Sequence, residues 1–214
     1  MTGTLAAAVG SQSLWFVSRA SGLILLSLFS VVVVLGVATR TGTSPRGLPR
    51  FGIAELHRTL SLFALALLAL HVVTAILDPY VSIGWAATFV PFASHYRTIA
   101  IGLGTLAVDL LAAVVVTSLL RQRIGFGTWR AVHWLAYLVW PVAFFHSLQA
   151  GNDFRTWWAA LIVWAAAGSV ATAVVARLLF PIVRSPEQAP KPTGLSERGA
   201  WHHERVTIPD RHRE

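Results

Sequence analysis

Five blocks of predominantly apolar residues, 14–38, 54–77, 98–120, 131–150 and 156–180, each reach the roughly 20 residues that a helix needs to cross a bilayer. In hydrocarbon every backbone N–H and C=O must find its partner within the protein, and a helix satisfies them one segment at a time. The blocks therefore predict an all-α integral membrane protein, a bundle of about five transmembrane helices in the cell membrane. Composition agrees, with 55% of the 214 residues hydrophobic and 12% charged. Trp15, Trp129, Trp157 and Trp158 stand at block ends, where indoles favour the boundary between water and lipid. Residues 78–97 include Pro79 and Pro91 and are too polar and broken to span, so they read as a loop with a short interfacial helix around Trp85.

The basic residues give an orientation. Fourteen of the 17 Lys and Arg fall on one side of the predicted bundle, and only Arg19, Arg97 and Arg155 on the other. By the positive-inside rule the N-terminus is expected outside and the C-terminus in the cytoplasm. In a membrane protein a net charge of +8 reports this topology, and no nucleic-acid partner is expected. Residues 1–13 lack a basic n-region, and the apolar stretch that follows outruns a signal-peptide core. They are expected to form an extracytoplasmic N-terminus ahead of a retained first span. Residues 181–214, rich in Pro, Arg, Glu and His without apolar periodicity, are expected to be a disordered cytoplasmic tail.

With no cysteine, the chain has no thiolate metal site and no iron–sulfur cluster. Chemistry is then sought among the eight histidines, four of which fall inside predicted spans: His57 and His71 on the second, His133 and His146 on the fourth. Ionisable or strongly polar groups at membrane depth are costly and face the bundle interior, so each is a candidate site residue. His57 and His71 are 14 residues apart, which leaves them about 40° from one helical face and about 21 Å apart along the axis. The second and fourth spans run in the same direction. His57 is thus level with His133 on the cytoplasmic side, and His71 with His146 on the outer side. Two facing imidazoles at each of two depths suit axial ligation of two b-type haems, His57, His71, His133 and His146 being the metal ligands. Against a straight helix, however, the 13-residue spacing of the second pair turns His146 about 140° from the face of His133. Pro141 lies between them and offers a kink that would re-register the helix.

Other residues fit a haem at these levels. Gly22 and Gly36 on the first span share the 14-residue spacing and leave room for a flat plate. Arg58 and Arg130 lie near the inner histidines, and Arg19 and Arg97 near the outer level, as candidate partners for propionates. Trp140 follows His133 by two turns and stands between the two levels. The one acid deep in a span is Asp109, to which no role is given beyond pairing with an arginine or a backbone group.

These residues resemble the ferric-reductase-like transmembrane domain, the family that includes ferric reductases, the haem-binding core of NADPH oxidases and the membrane subunit of the bacterial methionine sulfoxide reductase system. The matching pieces are Ser18-Arg19-Ala20-Ser21-Gly22, His57-Arg58 followed by His71, Trp129-Arg130 with His133 and Tyr137, and His146. The resemblance extends over residues 15–180, and its own histidine spacing is similar. Members commonly have six helices, one more than the blocks counted here, and the flavin and nicotinamide domain of the larger oxidases has no counterpart.

The resemblance implies a di-haem electron conduit, the membrane subunit of an oxidoreductase. Its donor would be a separate cytoplasmic flavoprotein reductase or a quinol, and its outer acceptor is left open. The competing readings are a quinone-linked respiratory cytochrome b subunit and a haem-free transporter or scaffold with packing histidines.

Overall fold

The computed structural model describes residues 2–41, 49–79, 83–151 and 156–179. Within them the chain is all-helical: α1 (Thr2–Thr41), α2 (Arg50–Leu77), α3 (Ala86–Phe89), α4 (Thr98–Leu119), α5 (Arg121–His133), α6 (Ala136–Ala150) and α7 (Trp157–Leu179). Four helices carry stretches long and apolar enough to cross a membrane, Gln12–Thr41, Phe51–Leu77, Thr98–Leu119 and Trp157–Leu179. The pair α5 and α6, bent by 43°, supplies a fifth crossing if taken as one broken span. The helical part of the N-terminal region begins well before the first predicted block, since α1 runs for 40 residues, about 60 Å. The expectation of a disordered tail at 181–214 lies outside the described residues.

Helix α1 is the organising element, packing against α2, α6 and α7, while α4 packs on α3, α5 and α6. Helix α2 makes its extensive contact with α1. Helix α2, which carries His57 and His71, and helix α6, which carries His146, are therefore not closely packed on each other. Between the two histidine levels Leu26, Phe144 and Val163 form a small buried cluster, with Leu23, Trp140, Leu148 and Ala167 packed around it. Many other large apolar side chains of the spans are exposed, as lipid-facing side chains are.

The fourth crossing differs from a straight helix in a way that matters for the site. Its break falls at Trp134–Leu135, upstream of Pro141, and α6 continues as helix through the proline. Around the break the amides of Trp134, Leu135, Tyr137 and Leu138 bond the carbonyls three residues back, the tighter 3₁₀ pattern. Each 3₁₀ residue turns the chain about 20° further than an α residue. The four so bonded add about 80°, which takes up more than half of the 140° offset expected for a straight helix and turns His146 towards the face of His133.

Candidate functional site

His71 of α2 and His146 of α6 meet in the interior with ring centres 6.3 Å apart and planes at 82°. Each ring is fixed by a neighbouring helix. His71 Nδ1 lies 2.9 Å from the carbonyl of Ser18 on α1, with Ser21 Oγ at 3.3 Å, and His146 Nδ1 lies 2.6 Å from the carbonyl of Ala100 on α4. A carbonyl only accepts, so Nδ1 donates its proton in both, and Nε2 is left with the lone pair that binds a metal. Room for the rings comes from glycine. A Cβ on Gly22 would stand 3.0 Å from His71 Cε1, and one on Gly104 only 2.7 Å from His146 Cε1. The two rings border a cavity of about 430 Å³, also lined by Gly22, Gly104, Arg19 and Arg97.

At the other level His57 repeats the pattern: its Nδ1 donates to the carbonyl of Val32 on α1 at 2.9 Å, and Gly36 supplies the notch, with a Cβ there 3.2 Å from His57 Cε1. Thus α1 runs antiparallel to α2, with Gly22 against His71 and Gly36 against His57. His133 is built differently. It ends α5 at the break, stacks on Trp129 with ring centres 5.0 Å apart, and its buried Nδ1 has no hydrogen-bond partner among the described residues.

Residues 21–144 match the family model of the ferric reductase like transmembrane component. The chain belongs to this ferric-reductase-like family. Its members are typically haem-containing electron-transfer components of membranes, with haem held by transmembrane histidines. No curated protein and no solved structure matches the chain. The match takes in His57, His71 and His133 and ends just short of His146, which the fold brings against His71.

The residues of this ferric-reductase-like chain fit haem. No group of three or more His, Cys, Asp or Glu able to hold a bare metal ion occurs among the described residues. Haem needs only two protein ligands, because the porphyrin supplies the other four nitrogens. Two imidazoles bound trans to one metal at about 2 Å per bond have ring centres roughly 6 Å apart, in line with the spacing of His71 and His146. The cavity beside the two rings and the loose approach of α2 to α6 are what a flat ligand inserted between helices requires.

The other predicted site residues divide. Arg19 and Arg97 both line the cavity at the His71 end, Arg19 with its guanidinium 4.6 Å above the Trp15 ring. Arg97, in the left-handed region at φ 41°, donates Nη1 to the carbonyls of Gln149 and Ala150 and so also caps the C-terminus of α6. Arg58 is exposed and paired with Glu55 at 3.7 Å, and Arg130 is exposed with its guanidinium 5.7 Å from the Phe126 ring. Trp140 donates Nε1 to Ser30 Oγ at 2.9 Å and stacks on Phe144 at 5.2 Å, in the layer between the histidine levels. Sequence reasoning missed Gly104, Ala100 and Val32, and it met Ser18 only as part of the motif of the first span. Gly104 is visible in the sequence as a glycine inside an apolar span, but its histidine lies on another helix. The other three act through backbone carbonyls that any residue would offer.

Proposed function

We propose that the chain is a di-haem b electron-transfer subunit of a membrane oxidoreductase, with His57 and His133 as axial ligands at one level and His71 and His146 at the other. The observation that carries this reading is the His71–His146 pair: two imidazoles facing each other across a glycine-lined space, each with Nδ1 committed to a carbonyl and Nε2 free. When bound, haem supplies a one-electron ferric–ferrous couple. The chain's own residues bind and orient it. His57 with His133, and His71 with His146, would each hold one haem, a two-histidine ligand set that favours electron transfer over oxygen binding. Gly22, Gly36 and Gly104 make room for the His71, His57 and His146 rings, Arg19 and Arg97 offer cations at the His71 level, and the Trp140–Phe144 stack occupies the gap between levels.

In this reading the His57 end faces the cytoplasm and the N-terminus lies outside, on the strength of the Lys and Arg distribution. Electrons enter there from a separate flavoprotein reductase or a quinol and leave at the His71 end to an outer acceptor. A pyridine haemochrome assay on protein made with ample haem tests the central statement, with about two b-type haems per chain expected; protein that takes up no haem would overturn it. Reporter fusions after Arg184 test the orientation, and activity confined to the outer side would reverse it.

A further inference from the structure

Asp109 lies about 16 Å along α4 from its first residue, near the middle of a bilayer-spanning helix. It is exposed, and it forms no hydrogen bond or ion pair among the described residues. At 100° per residue Ala100, Gly104, Ala107 and Val114 share one face of α4. That face takes His146, whose ring meets Ala100 and Gly104. Asp109 stands on the opposite face, in line with Gly102, Thr105, Ala112 and Val116. The half of that face nearer Thr98 is covered: the Phe92 ring fills the notch at Gly102, and Thr105 Oγ1 donates to the Ala87 carbonyl at 2.6 Å. The covering stops there, and Asp109, Ala112 and Val116 are exposed in succession.

An acid at the centre of a span is among the costliest residues to leave against lipid, and its side chain is too short to reach the interface as Lys or Arg does. We infer that the open face of α4 centred on Asp109 docks a transmembrane helix of another protein that carries a basic side chain at mid-depth. Charge complementarity selects that partner over a second copy of this chain. Arg40, Arg50, Arg97, Arg121 and Arg177 sit at helix ends, Arg58 beside His57, Arg123 and Arg130 on α5 before the break, and Arg19 at the His71 level, so a second copy has no arginine or lysine at the depth of Asp109 among the described residues. Ala112 and the half-buried Ala113 beside it let a partner backbone approach closely. A helix seated there would be separated from His146 by α4 alone.

The test uses the full chain, which has no cysteine, carrying Leu119→Cys as a single dye site and reconstituted in vesicles. Bilayer-spanning Leu–Ala peptides with a central Lys, a central Asp or neither are titrated in, and association is read by energy transfer. The Lys peptide is expected to associate roughly 5- to 30-fold more tightly than the peptide without a charge. That preference should vanish in Asp109→Leu and fall in Asp109→Asn, which keeps the shape of the side chain. Equal association of the three peptides, or a preference that survives Asp109→Leu, overturns the proposal. Self-association of the chain without peptide that Asp109→Leu abolishes also overturns it, in favour of a second copy. Haem content plays no part in the readout, so the result stands apart from the di-haem reading.

Discussion

At one end of the bundle both rings of a histidine pair are held by the backbone of a neighbouring helix; at the other, only one is. His71 and His146 each donate to a carbonyl and each sit on a glycine, whereas His57 has both supports and His133 has neither among the described residues. The difference follows from where the residues lie. His146 and His71 are well inside α6 and α2, alongside α4 and α1. His133 is the last residue of α5 before the break, where the chain is turning and its ring rests on Trp129 instead. Outer-sphere partners fix the orientation of a metal-binding histidine and strengthen it as a donor. One histidine pair is thus held by backbone on both sides, and in the other one ring is held by stacking.

The largest expected effect tests whether the pairs are separate. His71→Ala and His146→Ala should each remove one haem of the two while the other keeps its low-spin spectrum, and the double variant should add little, because the two residues serve one site. Loss of the same haem in His57→Ala and His146→Ala would break the pairing. Next is the asymmetry within the pair at the break. His57→Ala is expected to lower haem retention there roughly 10-fold more than His133→Ala, by analogy with the 10- to 100-fold cost of removing supporting contacts in metal sites. Equal losses, measured by haem content after gel filtration, would show the two ligands to be equivalent.

A smaller effect concerns the notches. Gly104→Ala puts a methyl where the His146 ring already stands, so it should weaken haem binding at that level more than Gly36→Ala, whose Cβ would stand 3.2 Å from His57 Cε1. Optical titration of apoprotein with haemin orders the two. Smallest of all is Ser21→Ala, which removes a 3.3 Å contact to His71 Nδ1 while leaving the Ser18 carbonyl in place. Haem content should be unchanged, and the thermal loss of the Soret band should shift by no more than about 1 kcal/mol of stability.

The sequence makes the helices, the four histidines and the glycines of α1 legible because each depends on spacing within one helix. Fourteen residues place His57 and His71, and likewise Gly22 and Gly36, on nearly one face whatever the neighbours do. What depends on the register between helices is hidden. Gly104 is recognisable only once α4 is known to lie beside His146. Arg97 was anticipated as a partner for a bound anion, and the fold also gives it the end of α6 to hold, a task set by which helix terminates nearby. Pro141 drew attention as the obvious source of a bend, yet the turn is made at Trp134–Leu135 by residues with no helix-breaking character. Asp109, set aside as a partner for an arginine, has no such partner among the described residues.

The 3₁₀ stretch between His133 and His146 also limits what length changes the chain can accept. One residue inserted near Leu135 would rotate everything after it by about 100° and advance it by about 1.5 Å. His146 would then leave His71 and the Ala100 carbonyl together, and no local adjustment of its side chain would bring it back. Homologous sequences should therefore keep the count between the two histidines of the fourth crossing constant.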